Sequence, residues 1–353
     1  MRSNRIGPMM KCPVCGEDCV QYAHELLDTL DTVFAPCPAC TPRILDKQKP
    51  PPADAVIIEA CTCEKRFIDD VFLEIYTIMV QEGLLAAGSP LRDAGIPLVH
   101  PGFAMTQPPY LPRNSLLLLS RHVDKKTADR LMREVPELRG VVKCGDFTPG
   151  AEDVDLTVPP RVYELLAGCD VRADIFSTQH SPVILYKQQS LIHIEFPRGY
   201  DPKIVSVGVQ LRHAMPKVFV DASSGVGTLG ILGAISGVRH VILNDAWYAA
   251  AYWSAYNVEV NREHLLVEPV RFLKEYRELQ EHPVLAEPLK VAEAEGAQKI
   301  EVYQGDFRRL GQVIPKEKSL LAVIDLFRKS DPEVNRRILQ EWRERVGGEA
   351  FIP

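Results

Sequence analysis

Two spacings of apolar residues organise this chain. From Lys65 to Glu82, Phe67, Val71, Phe72, Ile75, Ile78 and Met79 recur at three- and four-residue intervals, which predicts one buried helix face. Ala55-Val-Ile-Ile-Glu-Ala predicts a buried strand before it. Asn114-Ser-Leu-Leu-Leu-Leu-Ser, a helix over about Lys125 to Val135 and Arg139-Gly-Val-Val-Lys-Cys144 predict a strand–helix–strand unit, entered through the proline-rich loop 101–112. Further on, Val183-Ile-Leu-Tyr and Leu191-Ile-His-Ile-Glu-Phe predict two strands joined by the polar turn Lys187-Gln-Gln-Ser. His193 alternates with Ile192 and Ile194 there, the position of a half-buried strand residue rather than a catalyst. No internal repeat is visible.

The last third changes rhythm. Lys217-Val-Phe-Val-Asp221 is an apolar strand followed by the small-residue loop Ala222-Ser-Ser-Gly225-Val-Gly227 and a helix to about Gly237. Val241-Ile-Leu-Asn-Asp245, a helix from about Trp247 to Val260, Lys299-Ile-Glu-Val-Tyr-Gln-Gly-Asp306-Phe and Leu320-Leu-Ala-Val-Ile-Asp325-Leu-Phe repeat strand, acid, helix. Such alternation builds an α/β, Rossmann-like, doubly wound and mainly parallel sheet, with ligands at the carboxyl ends of the strands, where these acids fall. Tyr248, Tyr252, Trp253 and Tyr256 sit at helical spacing and read as a packed face. Only 28 residues follow Asp325, enough for a helix over about Pro332 to Val346 and a short strand Glu349 to Pro353. The usual closing pair of strands is absent from that count: either the sheet is truncated, or strands from the middle region or a partner subunit complete it, and an open edge favours the last, hence a homodimer.

Composition narrows the class. With 46% hydrophobic and 25% charged residues, the 353-residue chain can build cores for about two domains and is not disordered. It lacks an unbroken apolar run of ~18 residues, so no membrane span is expected; the amino terminus has no apolar region of a secretory leader, so a cytoplasmic location is expected. The net charge of -6 removes a protein-wide pull toward nucleic acid. One local exception is Arg308 to Arg345, with ten basic against six acidic residues.

Nine cysteines in a reducing compartment point to metal rather than disulfides. Cys12-Pro-Val-Cys15-Gly16 and Cys37-Pro-Ala-Cys40, 21 residues apart, supply four thiolates on two tight turns, the donor set of a tetrahedral structural zinc ribbon over residues 1–46. Cys19 and His24 are substitute ligands in the spacer, and Leu26, Leu27, Leu30, Val33 and Phe34 would cover the ion. An iron–sulfur cluster using Cys12, Cys15 and Cys19, or a redox dithiol, are the competing uses. Thr41 to Asp54, with its Pro50-Pro-Pro run, reads as a stiff linker to a middle α/β substrate or docking region over 54–200. Cys61-Thr-Cys63 reads as two thiols packed on opposite sides of an extended chain, and no role is assigned to Cys144 or Cys169.

Two cofactors compete for the glycine loop. Gly225-x-Gly227-x-x-Gly230 with Asp245 20 residues beyond Gly225 has the form of a dinucleotide fingerprint, which would make the chain an NAD-dependent oxidoreductase. Against this, Asp221-Ala-Ser-Ser intervenes between strand and first glycine. An acid at that strand end repels a pyrophosphate and suits the ammonium of a methionine moiety. S-adenosylmethionine carries that ammonium and no phosphate; Asp245 would then accept its ribose hydroxyls, and Asp306 and Phe307 would frame the adenine.

The order Asp221-x-x-x-Gly225-x-Gly227, Asn244-Asp245, Asn257-Val-Glu-Val-Asn261, Gly305-Asp306-Phe307 and Val323-Ile-Asp325 resembles class I S-adenosylmethionine-dependent methyltransferases. Val220-Asp-Ala-Ser-Ser-Gly, Asn244-Asp245 and the Asn-x-x-x-Asn helix end are similar to archaeal RNA methyltransferases that make dimethylguanosine in tRNA. The resemblance spans roughly residues 216–330 and implies a cofactor-binding domain over 201–353, with Asp221, Ser223, Gly225, Gly227, Asp245, Ala246, Asp306 and Phe307 at the cofactor. Asp325, followed by Leu-Phe-Arg328 instead of the Pro-Pro or Pro-Phe of amine-methylating members, is the candidate catalytic residue. Three acceptor classes are open, RNA, protein and a small metabolite, with RNA leading on family likeness. A non-catalytic methyltransferase-like scaffold with a zinc-ribbon docking module is the alternative.

Overall fold

The computed structural model describes residues 10–150, 158–317, 319–327 and 329–353. The amino-terminal stretch read for a leader, and Arg328 of the Asp325-Leu-Phe-Arg motif, lie outside the described residues. No helix among the described residues is long and apolar enough to cross a membrane.

In the middle region helix α1 (Ile68–Gln81) forms where the apolar spacing predicts it. Its first turn carries Asp69 and Asp70, which the helix dipole favours there. Both are buried and taken up by the segment upstream: the Leu45 amide donates to Asp69 at 2.8 Å, Lys47 pairs with Asp69, and Arg43 Nε donates to Asp70 at 2.7 Å. Residues 43–47 are thus tied to α1, and this part of the segment is not a free spacer. Ala55–Ala60 forms no strand; Val56, Ile57 and Ile58 are 68%, 43% and 41% exposed. The proline run upstream removes donors, and no neighbouring strand is in place to pair with the segment.

The strand–helix–strand unit is present. β1 (Ile96–Val99), β2 (Leu116–Ser120), β3 (Leu138–Lys143) and β4 (Glu164–Gly168) form a sheet in that order. The central pair β2–β3 is parallel, linked over α2 (Lys125–Glu134), whose N-cap Asp124 accepts from the Thr127 amide at 2.8 Å.

A separate antiparallel hairpin follows, β5 (Val171–Phe176) with β6 (Val183–Gln188). The second predicted strand, Leu191–Phe196, is irregular. It leaves β6 at a turn and is held by charge rather than by a backbone ladder: buried Lys187 lies 3.0 Å from Glu195 and 3.0 Å from Asp174, which pairs with Arg172 at 2.6 Å. Ions this far from water persist only when paired in this way.

The carboxyl-terminal unit is the expected doubly wound sheet with an altered edge. After α3 (Pro202–Ala214) come β7 (Val218–Asp221), α4 (Thr228–Ile235), β8 (His240–Asp245), α5 (Tyr248–Val260), β9 (Arg271–Phe272), β10 (Leu289–Glu295), β11 (Lys299–Gln304), β12 (Leu320–Val323), α6 (Pro332–Arg345) and β13 (Glu349–Phe351). Their order is β9-β10-β11-β8-β7-β12-β13. The five strands from β11 to β13 are parallel, and β10 and β9 extend the β11 edge in antiparallel fashion. The sheet reaches seven strands within this unit: β9 and β10, inserted between β8 and β11 in sequence, extend one edge, and β13, the one short strand expected after Asp325, forms the other. Both faces are buried: Phe219, Val241 and Leu243 pack under α4 and α5, while Val218, Val220 and Ile242 face α6 and its Trp342. Tyr248, Tyr252, Trp253 and Tyr256 are buried in the first of these cores, packed as read.

The Asn-x-x-x-Asn end of α5 explains how hairpin and sheet become one body. Asn261 accepts from the Ile184 amide at 3.1 Å and donates to the Ile184 carbonyl at 2.7 Å; Asn257 does the same for Tyr186 at 2.7 and 2.9 Å. Residues four apart on a helix rise ~6 Å and residues two apart on a strand ~6.6 Å, so two amides can serve the edge of β6 as a neighbouring strand would.

The amino-terminal segment is not the self-contained ribbon expected. Cys12 and Cys15 group with Cys19 and Cys169, whereas Cys37 and Cys40 group with Cys61 and Cys63. The two CxxC turns therefore face different partners. The first lies against the carboxyl-terminal unit, where the Tyr256 hydroxyl donates to the Lys11 carbonyl at 2.7 Å and the Gln21 amide donates to the Tyr186 hydroxyl at 3.0 Å. The second lies beside α1.

Asn257→Ala and Asn261→Ala should each lower stability by ~1–3 kcal/mol, because each strands a buried N–H and C=O of β6. Urea unfolding checks this; an Asn257→Ala midpoint equal to that of the wild type would mean that water or a backbone shift replaces the clamp.

Candidate active site at the strand ends

The carboxyl ends of β7, β8, β11 and β12 enclose one cavity. Its lining includes Asp221, Ser223, Gly225, Asp245, Ala246, Asp306, Phe307 and Asp325, residues that stand up to 104 positions apart in the chain. The chain crosses from β7 to β8 on one side and to β12 on the other, which opens the crevice at this switch point.

The loop after β7 is shaped by its glycines and a network of short side chains. Gly225 and Gly227 adopt φ of 53° and 95°, a region that strains residues with a Cβ, and Gly227 caps the start of α4 behind the cavity wall rather than lining it. Asn244 donates to the carbonyls of Ala222 at 3.0 Å and Gly305 at 2.9 Å, tying the loops after β7 and β11 together. Ser224 and Ser254 hydroxyls meet at 3.0 Å, and Ser223 Oγ accepts from the Asp325 amide at 2.9 Å, joining the loops after β7 and β12.

Two carboxylates dominate the electrostatics. Asp221 is fully buried; one oxygen accepts from the Gly230 amide at 2.7 Å, and the other has no hydrogen-bond partner among the described residues. Burial pushes this acid up to about 8, with Asp325 and Asp245 adding to the rise. Asp245 accepts from the amides of Gly225 at 3.0 Å and Trp247 at 2.9 Å, which hold its carboxylate over the loop; burial still pushes it up to about 6. It is a turn-forming residue and a wall of the cavity at once. Asp306 caps the short helical turn Phe307–Gln312 by accepting from the Arg308 amide at 3.0 Å, and the Arg308 guanidinium lies 4.7 Å over the Phe307 ring.

The far wall comes from outside the sheet. Asp325 has one oxygen 2.7 Å from Lys203 Nζ and the other 2.6 Å from Lys329 Nζ, so both lysines compete with a substrate proton for this carboxylate. Burial lowers Lys203, but the Asp325 carboxylate outweighs it and the ammonium is held above its ordinary range. His193 and Glu195, on the irregular segment after β6, also line the cavity. His193 Nε2 is 3.4 Å from a Glu195 oxygen, and its ring meets Phe327 edge-on at 5.2 Å. Sequence reasoning passed over His193 because alternation between isoleucines looked like a strand; the acid two residues on, Glu195, was the available signal. Lys203, just inside the N-terminus of α3, carried no local motif.

Part of the basic segment from Arg308 to Arg345 is taken up in ion pairs. Arg308 pairs with Glu341 at 3.0 Å, Arg336 with Glu333 at 2.8 Å, and Arg309 with Glu287.

No protein-family model and no curated protein matches the chain. Among solved structures it is similar to P. horikoshii TYW2 in complex with MeSAdo, with a TM-score of 0.37 and 15% identity over 80% of this chain and 78% of that one. It is also similar to wild-type Trm5b from Pyrococcus abyssi, with a TM-score of 0.34 and 14% identity over 67% of this chain and 56% of the other. Likenesses this distant carry no functional conclusion, which rests on the cavity itself.

The raised acids make stability depend on pH. Folded Asp221 keeps its proton up to about 8, whereas an unfolded aspartate loses it near ~3.9, so its contribution is complete below that value and is lost as pH rises through the folded one. Between pH 6 and 8 the wild type should lose ~2 kcal/mol that Asp221→Asn retains. Denaturation curves of both proteins at the two pH values check this, and a constant difference between them would contradict it.

Proposed function

We propose that the chain is an S-adenosylmethionine-dependent methyltransferase and that its acceptor is RNA. The observation that carries the reading is the buried Asp221 oxygen without a hydrogen-bond partner among the described residues, in a cavity shared with Asp245 and the Gly225 loop. This acid, which burial keeps protonated up to about 8, is drawn to its charged form by a cation that arrives with the ligand and then pairs with it. The pyrophosphate of NAD would hold the acid protonated and find no opposite charge there, which weakens the oxidoreductase reading.

Fitted to these residues, Asp221 receives the methionine ammonium, Asp245 accepts from the ribose hydroxyls, and Asp306, Ala246 and Phe307 border the adenine. The bound sulfonium supplies an already activated methyl group. What remains for the chain is to align an acceptor, exclude water and take up one proton. Asp325, with both oxygens held by lysines, positions the far wall. His193, oriented by Glu195, is the better placed proton acceptor, a base with a third group behind it. Phe327, 49% exposed beside His193, offers a ring on which a flat base can stack. A non-catalytic scaffold is the second reading, favoured by the engagement of Asp325.

Calorimetric titration with S-adenosylmethionine, S-adenosylhomocysteine and NAD should give micromolar binding of the first two alone; binding of NAD alone would replace the reading. Asp245→Ala should weaken S-adenosylmethionine by ~1–3 kcal/mol, and unchanged affinity would remove Asp245 from the site. Transfer of labelled methyl groups to a component of a cell extract would eliminate the scaffold. For the acceptor, filter binding of tRNA at low salt should show retention that falls as salt is raised; no retention, or retention indifferent to salt, would move the acceptor to a protein or a metabolite.

A further inference from the structure

Eight of the nine cysteines stand in two quartets, and neither is the one that the CxxC spacing suggests. Within each quartet the four sulfurs lie within 4.8 Å of one another. In the first, Cys12 is 3.8 Å and Cys19 is 3.6 Å from Cys169, with Cys15 3.5 Å from Cys19. In the second, Cys37 is 3.5 Å from Cys61 and 3.7 Å from Cys40, which is 3.6 Å from Cys63.

These separations discriminate between uses. A disulfide needs ~2.05 Å between sulfurs, so none of these pairs is bonded. Four thiolates at ~2.3 Å from one tetrahedral ion stand ~3.8 Å apart, the spacing found in both quartets. An iron–sulfur cube gives each cysteine its own iron and spreads the sulfurs wider than one shared centre does. The turns are built for convergence. Gly16, at φ 76°, donates to the Cys12 carbonyl at 2.9 Å; the Cys40 amide donates to the Cys37 carbonyl at 3.0 Å; Glu64, at φ 61°, donates to the Cys61 carbonyl at 2.7 Å. Cys61-Thr-Cys63 is thus a curled turn that aims both sulfurs one way, not an extended chain with thiols on opposite faces.

We propose that the protein binds two zinc ions, one in each quartet, and that the first is a clasp between distant parts of the chain. Cys169 lies directly before β5, 150 residues beyond Cys19, so the first ion fastens the amino-terminal segment to the hairpin that α5 clamps. The second fastens Cys37 and Cys40 to the turn that precedes α1. Residues 10–63 then run as a strap pinned at one end to the carboxyl-terminal unit and at the other to the middle unit. This inference is independent of the methyl-transfer reading.

The test is metal analysis of the full chain purified without added chelator. The expected content is two zinc per chain, falling to one in Cys169→Ser and to one in Cys61→Ser, and remaining two in Cys144→Ser, whose thiol belongs to neither quartet. Alkylation mapped by mass spectrometry supplies a readout that does not need the variants to fold: in the native wild type only Cys144 should react, and the quartets should become reactive as two sets of four once metal is removed. One zinc per chain lost equally in Cys12→Ser and Cys37→Ser would restore a single ribbon and overturn the proposal. Iron in place of zinc, seen as a visible absorption band, would overturn the choice of metal, and absence of any metal with all nine cysteines reactive would overturn both sites.

Discussion

A carboxylate buried with one hydrogen bond is the constraint around which the carboxyl-terminal unit is arranged. Asp221 ends β7 inside the protein, where the Gly230 amide satisfies one oxygen and none of the described groups satisfies the other. Placing it there requires α4 to start close beneath the strand. A Cβ at Gly230 would come within 2.6 Å of Leu243, so only a glycine lets the helix amide approach. The positive φ of Gly225 and Gly227, the Asn244 tie to the loop after β11 and the Ser223 bond to Asp325 all hold the surrounding loops at the distance that this single acid sets.

The far wall follows a different principle. It is carried by charges on segments without regular structure: Glu195 is placed by buried Lys187, and Asp325 by Lys203 and Lys329. The near wall, made of backbone amides and glycines, suits a ligand whose form does not vary. The far wall, made of ion pairs and an exposed aromatic ring, suits recognition of a second molecule. A cavity with two walls of such different construction fits a reaction between a fixed donor and a separate acceptor.

The Asn257 and Asn261 clamp shows how a short motif can serve architecture as well as a site. Both amides are spent on the backbone of β6, and this brings the segment carrying His193 and Glu195 to the cavity. The same hairpin begins just after Cys169, so the helix clamp and the first sulfur quartet fasten it from two sides.

How much of this was legible in advance depends on the range of the interactions. Apolar periodicity sufficed for α1, β2, α2, β3 and the alternating strands and helices from residue 217 onward, because each element answers to its own burial pattern. The spacing Asp221, Gly225, Asp245, Asp306, Asp325 marked the cavity, since acids at strand ends share one edge of a parallel sheet whatever the rest of the fold does. Ala55–Ala60 and Leu191–Phe196 have strand-like composition but lack a neighbouring strand, and pairing is settled by the partner, not by the segment. The β9–β10 extension of the sheet, the meeting of His193 with Phe327, and the division of the cysteines into two quartets were decided only in three dimensions. Two CxxC turns 21 residues apart look like a single site when the intervening chain is imagined as a loop closing on itself. The protein instead brings Cys169 to one turn and Cys61 and Cys63 to the other, because a sulfur is captured by whichever thiols folding places within bonding reach, and sequence distance has no part in that choice.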